Sequence, residues 1–289
     1  MIFNDIRKSF RKGTMLGRLI YINIAVFVFV EIIRVFNFLF NLSTDFLIQF
    51  ALPAQLSSFL TKPWTIISYM FVHDGFVHLI FNLLWFYFGG SIFLKYLTNR
   101  QIISTYILGG LVGGLLYILA FNYFPVFEAS LPTSIAVGSS ASVFAILIAI
   151  ATYVPNYNVN LTFIGNVKLK HIAIFTVILD LLLIPKGNAG GHIAHIGGAI
   201  YGYYFSKRLL KGKDISKGFD KLMFYLNSLF KPQIKMKTIH RKAKNDDEWR
   251  EQKSNEQREI NLILEKIAQS GYDSLNKEEK DTLFKASKK

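Results

Sequence analysis

Apolar residues gather in six long runs, at about 17–40, 72–97, 101–123, 138–154, 168–185 and 190–210, with few charges inside them. An α-helix rises about 1.5 Å per residue and a hydrocarbon core is about 30 Å thick, so the pattern predicts six membrane-spanning helices, the fourth being the shortest. Residues 41–71 are too apolar for an ordinary exposed loop (Phe46-Leu47-Ile48, Phe50-Ala51-Leu52) and too broken by Pro53 and Pro63 to span. They are expected to form short helices in the membrane interface, with Trp64 at headgroup depth. Gly109-Gly110, Gly113-Gly114 and the Gly198-xxx-Gly202 pair set small residues at helical spacing, which lets neighbouring backbones approach closely.

The pattern changes near Lys211. Before it stand only six acids (Asp5, Glu31, Asp45, Asp74, Glu128 and Asp180), whereas the remainder carries the other 13 acids and 19 of the 33 Lys and Arg. Three parts follow: a membrane domain over 1–210, a basic, weakly patterned linker over 211–245, and a helical hairpin over 246–289. In the hairpin Ile260, Ile263, Leu264 and Ile267 make one helical stripe, Gly271 is a stop, and Asn276 caps a second helix. A hydrophobic fraction of 52% and a mean hydropathy of +0.32 fit this division. The net charge of +14 raises the possibility of nucleic acid, but the basic residues flank apolar spans, so anionic lipid headgroups explain them and no nucleic-acid partner is expected. Residues 1–16 are basic with Ile2, Phe3, Ile6 and Phe10 interleaved and show no small-residue cleavage site, so the first span is expected to direct insertion itself. The absence of Cys excludes disulfides, thiolate ligands and a cysteine nucleophile.

Polar groups inside apolar spans are costly and tend to mark function. Gly138-Ser139-Ser140-Ala141-Ser142 opens the fourth span, and His192-Ile193-Ala194-His195 opens the sixth. A serine hydroxyl becomes a good nucleophile when a neutral imidazole takes its proton, and Ser140 at a helix start also brings backbone N–H groups able to stabilise an oxyanion. Serines at such a place also simply cap helices. His78 and Asn82, four residues apart at the start of span two, share a helix face and are further candidate oxyanion donors or interhelical hydrogen-bonding groups. A rival reading takes His73, His78, His192 and His195 as metal ligands; their spacings of five and three depart from the usual i, i+4 pair, and no metal or cofactor is expected. Asp180 either orients a histidine, carries protons or pairs with a hydroxyl, and Glu31 with Arg34 reads as a local ion pair.

From about Trp64 to Tyr204 the chain resembles the rhomboid intramembrane serine proteases. The run Pro63-Trp64-Thr65-Ile66-Ile67-Ser68-Tyr69-Met70-Phe71-Val72-His73 is similar to that family's first loop, His78-xxx-Asn82 to its His-xxx-Asn, Gly138-Ser139-Ser140 to its Gly-x-Ser-Gly, and Ala194-His195-Ile196-Gly197-Gly198 to its Ala-His-x-x-Gly. The resemblance implies a six-helix, all-α membrane fold and an endopeptidase with a Ser140–His195 dyad lacking an acid. It also implies an oxyanion hole from His78, Asn82 and the Ser140 N–H, and transmembrane helices as substrates. A non-catalytic relative that binds membrane clients is the alternative. Two positions depart from the pattern: Ala141 stands where the family usually has Gly, and Thr65 where some members have Arg.

Eleven Lys and Arg at span ends (Arg7, Lys8, Arg11, Lys12, Arg18, Lys95, Arg100, Lys168, Lys170, Lys207 and Arg208) fall on one side, and two (Lys62 and Lys186) on the other. The expected setting is a bacterial inner membrane, with both termini cytoplasmic and all candidate polar groups near the outer face. A reporter fused after Lys289 is therefore expected to score as cytoplasmic and one inserted near Ser130 as external; a cytoplasmic Ser130 would invert the assignment.

Overall fold

The computed structural model describes residues 13–42, 46–162, 164–230 and 246–287, which divide into two compact units, Met1–Lys231 and Pro232–Lys289. The basic stretch expected to precede the first span lies mostly outside the described residues.

In the first unit the long apolar runs become helices within a few residues of the expected limits. They are α1 (Met15–Leu39), α4 (Phe76–Tyr96), α5 (Asn99–Tyr123), α6 (Ser140–Tyr153), α7 (Leu169–Leu183) and α8 (Ala189–Leu210), with the short α2 (Leu56–Thr61) and α3 (Thr65–Ser68) between the first two. Three of them, α1, α4 and α5, are long and apolar enough to cross a membrane by length and composition. Helix α6 has 14 residues, a rise of about 21 Å, and ten of them are buried: Ala141, Ser142, Val143 and every residue from Ala145 to Ala151. It is the centre of the unit, wrapped by α4, α5 and α8. Helix α7 is the reverse case, burying only Leu169, Ala173 and Asp180 while Ile174, Phe175, Ile178, Leu179, Leu181 and Leu182 are exposed.

The glycines explain the tight centre. A Cβ on Gly198 would come within 2.1 Å of the Ala141 carbonyl oxygen, and one on Gly202 within 2.2 Å of the Ala145 oxygen. One turn later the Ser206 hydroxyl donates to the Ala149 carbonyl at 2.6 Å. Each pair is separated by the same 57 positions, so α8 runs parallel to α6 in fixed register, backbone against backbone. From α5, a Cβ on Gly109 would meet the Ala145 methyl at 2.2 Å and one on Gly113 the Ala141 methyl at 2.6 Å. Close approach, then, accounts for these small residues.

Two antiparallel ladders add strand to a mostly helical chain. Strands β1 (Leu52–Pro53) and β2 (Ile135–Ala136) pair Leu52 with Ala136, and β3 (Asn158–Leu161) and β4 (Gly165–Lys168) pair Asn158 with Lys168. The all-α expectation is corrected to this extent, because the first ladder ties the 46–71 loop to the segment entering α6. That loop is built as short helices, with the Trp64 indole donating to the Gln49 carbonyl at 2.9 Å and the Ser68 hydroxyl to the Phe50 carbonyl at 2.8 Å. Arg34 bonds Glu31 at 2.9 Å, as expected, and also reaches Asp74 at 3.2 Å.

After α8 the chain turns at Gly212 (φ +74°) and begins α9 (Ser216–Phe230) inside the stretch expected to be weakly patterned. Asp214 anchors this start by accepting from the Ser216 N–H at 2.9 Å and from the Gln101 amide at 3.0 Å. The rest of that stretch, 231–245, lies outside the described residues.

The second unit contains α10 (Asp246–Ser270) and α11 (Lys277–Ser287). Gly271 takes φ +79° where α10 stops, and Asn276 forms a reciprocal cap, its Oδ1 accepting from the Glu279 N–H at 2.9 Å while the Glu279 carboxylate accepts from the Asn276 N–H at 2.8 Å. The Lys266 ammonium bonds Glu279 at 2.8 Å and, through that hydrogen bond, holds its carboxyl below the usual carboxylate range. Ile263 and Leu275 are buried; Leu264, expected on the stripe, is 49% exposed because it lies beside the contact face.

Replacing Gly198 by Val is expected to lower the melting temperature in detergent markedly, since overpacking costs about 1–3 kcal/mol even where side chains can yield, and here the obstacle is backbone. Gly218→Val, whose Cβ would meet nothing within 4 Å, serves as the control; equal losses in both variants would contradict the register.

Candidate active site

The start of α6 is held before Ser140 by the loop that precedes α4. The Gly138 N–H donates to the Tyr69 carbonyl at 2.9 Å, and the Ser139 N–H donates to His73 Nε2 at 3.3 Å, with the Ser139 hydroxyl 3.2 Å from the same nitrogen. Tyr69 is itself fixed, its hydroxyl donating to the Gly110 carbonyl at 2.6 Å. The first helical bond inside α6 runs from the Val143 N–H to the Ser139 carbonyl at 2.9 Å. A helix start has N–H groups with no carbonyl a turn earlier to receive them. Ser140 is the first residue of this helix, so its hydroxyl and N–H stand together at a positive helix end. His73 was a metal candidate in the sequence; instead it clamps this turn.

Gly138 has φ +111°, a left-handed conformation that favours glycine, and a Cβ there would lie 2.8 Å from His78 Nε2 and 3.9 Å from Asn82 Nδ2. The His78 ring and the Asn82 amide therefore lie over the backbone just ahead of Ser140. One Asn82 N–H donates to the His78 carbonyl at 2.9 Å, a bond within its own helix, and the amide has a second N–H.

The register of α8 on α6 brings in the histidine. Gly198 rests on Ala141, and His195 lies one turn earlier on the same helix, at the level of the Ser140 turn. Its ring stacks on Phe144, with centroids 4.6 Å apart and planes 14° apart. Ser140, His195, His78 and Asn82 all line one cavity of about 820 Å³, walled also by Phe81, Trp85 and Phe144 and bordered by Ser130 and Asn188. Asn188 starts α8 in the left-handed region (φ +50°), its Oδ1 accepting from the Gly191 N–H at 3.3 Å. Neither this cap nor the Tyr69 and His73 clamps is evident from the sequence, although the left-handed preference of Asn after Gly187 is a signal for the cap.

Behind His195, away from the cavity lining, Asp180 Oδ1 lies 2.5 Å from His192 Nδ1 and 3.0 Å from His195 Nδ1. These three residues form a cluster with metal-ligand chemistry, a different grouping from the four histidines considered in the sequence. Ala141 is 1% exposed with its methyl toward Gly113, so the methyl that departs from the family pattern is accommodated by a glycine on α5.

Residues 60–212 match the family described as Rhomboid domain, and the chain belongs to the rhomboid family. It is an integral membrane protein. It is 26% identical over 158 residues to the RHOMBOID-like protein 12, mitochondrial, of Arabidopsis thaliana, covering 52% of this chain and 47% of that relative, so it spans about half the relative's length. Residues 244–289 match a separate family of unknown function, DUF6576.

Removing the clamp by His73→Ala leaves the buried Ser139 N–H without its acceptor, an expected cost of about 1–3 kcal/mol, and should lower the melting temperature accordingly. An unchanged melting temperature would show that the turn is held by other contacts.

Proposed function

We propose that the protein is an intramembrane serine endopeptidase that cleaves peptide bonds in or beside transmembrane segments of other membrane proteins. The observation that carries this reading is the convergence on one cavity wall of Ser140, His195, His78 and Asn82, drawn from α6, α8 and α4.

In this reading Ser140 Oγ attacks the substrate carbonyl carbon as His195 Nε2 takes its proton. The carbonyl oxygen becomes an oxyanion, stabilised by the Ser140 N–H at the α6 start and by donors from His78 and Asn82. The C–N bond then breaks, the leaving amine receives the proton held by His195, and the acyl group remains esterified to Ser140. Water, deprotonated by His195, attacks the ester; the carboxylic acid leaves and the proton returns to Ser140 Oγ. The chemistry uses no cofactor or metal.

The membrane arrangement belongs to the same proposal. Six spans, α1 and α4 to α8, cross the bilayer, with α6 short because helices rather than lipid surround it. The two basic termini face the cytoplasm of a bacterial inner membrane, and the cavity opens toward the outer face. Transmembrane substrates and lipids are the expected partners, while 211–245 and the 246–289 hairpin extend into the cytoplasm. The second reading is a non-catalytic rhomboid-like protein that binds membrane clients; the Arabidopsis relative is itself named rhomboid-like.

Cleavage of a transmembrane reporter by the purified protein separates the two. Ser140→Ala and His195→Ala should each abolish it, with the double variant no worse than either, because a base and its nucleophile act as one unit. Ser139→Ala and His192→Ala should retain it, and Asn82→Ala should lower kcat about 10²- to 10³-fold, as loss of one oxyanion donor does elsewhere. Cleavage surviving Ser140→Ala would end the serine reading; no cleavage by the wild type would favour the binder.

A further inference from the structure

The family resemblance implies a base with no acid behind it, yet a carboxylate stands behind His195. Helix α7 presents apolar side chains on most of its surface, and among its three buried residues one is charged: Asp180. Its side chain is 8% exposed, its Oδ1 meets the Nδ1 of both His192 and His195, and its Oδ2 is buried without a hydrogen-bond partner among the described residues. A carboxylate in such surroundings is costly, and half of this one is left uncompensated. A simple strap between α7 and α8 does not require that charge, since a neutral amide can also accept from a histidine N–H.

A metal centre fits the separations poorly. Three ligands held about 2.0–2.2 Å from a tetrahedral zinc lie about 3.3 Å from one another. Here the oxygen is 2.5 and 3.0 Å from the two nitrogens, which are hydrogen-bond lengths.

Resting on the serine-protease reading, we propose that Asp180 is a positioning residue for the base, making the working unit Asp180–His195–Ser140; His192 bonds the same oxygen from outside that unit. A carboxylate only accepts, so it selects the imidazole form that carries its proton on Nδ1. Nε2 is then the unprotonated nitrogen, the form that can take the Ser140 proton. The stack on Phe144 fixes the ring plane while Asp180 fixes its rotation, and Asp180 is not itself among the residues lining the cavity. When His195 becomes an imidazolium, its Nδ1 proton stays on nitrogen and the carboxylate balances the new charge. Asp180 touches neither the substrate nor the reacting atoms.

Substituting Asp180 by Asn tests this in the full-length protein. The amide keeps the shape, and its oxygen can still accept from Nδ1, but it carries no charge to balance the imidazolium that forms when His195 takes the Ser140 proton. The expected result is a kcat at least about tenfold lower with KM and melting temperature unchanged, short of the roughly 10⁴-fold that a wrong tautomer costs in a serine protease triad. His192→Ala, which removes the other bond to the same oxygen, should keep kcat within about tenfold. If the Asn variant does not fold, the isosteric pair Asp180→Glu and Asp180→Gln decides: the carboxylate should support a kcat at least about tenfold above the amide at equal melting temperature. A kcat within about threefold of wild type for Asp180→Asn, or equal rates for Glu and Gln, overturns the inference. So does a parallel fall in melting temperature and kcat in both Asp180→Asn and His192→Ala, which marks a structural strap. Ser140→Ala, assayed alongside, separates the two levels: if it still cleaves, the protease reading itself has failed.

Discussion

The parallel contact of α8 on α6 is the constraint on which the rest depends. Two helices whose backbones approach to the point that a single Cβ on Gly198 or Gly202 cannot be placed have no freedom to slide. The Ser206 hydroxyl bond to the Ala149 carbonyl fixes the far end of the same seam. This register, rather than any bond between the functional side chains, sets the level of His195 relative to the Ser140 turn. Helix α5 completes the arrangement from a third side, with Gly109 and Gly113 receiving the methyls of Ala145 and Ala141.

A second layer acts on the turn itself. Tyr69 and His73 accept the N–H groups of Gly138 and Ser139, and the β1–β2 ladder holds the extended segment just before them. The loop before α4 thus serves as a brace for the start of α6. Helix α7 lies at the other extreme: it packs little, buries three residues, and delivers one carboxylate to the back of His195. Rigidity is thus concentrated around α6, while α7 is sparsely packed.

Helix positions were legible because apolar runs of this length have few alternatives, and the glycines of α5 and α8 announced close packing by their spacing. Ser140, His195, His78 and Asn82 were legible because each is polar in an apolar run. The partners were not. His73 reads in one dimension as another imidazole, and only folding shows it on the Ser139 N–H. Asp180 had a role open to several partners because nothing in its own run says which helix it faces. The β1–β2 ladder joins segments more than eighty residues apart and each only two residues long, too short for period-two alternation to register. Helix α9 was concealed by its basic composition, although Phe219, Leu222 and Leu226 recur at helical spacing.

Everything proposed for the cavity turns on Ser140 being a nucleophile activated by His195. Treating the detergent-purified protein with a fluorophosphonate and mapping the adduct by peptide mass spectrometry tests it most directly, because the reagent needs an activated serine and no knowledge of the substrate. A single adduct is expected on Ser140, absent from His195→Ala and present in Ser139→Ala. An adduct on Ser139 or Ser142, or one on Ser140 that persists undiminished without His195, would contradict it.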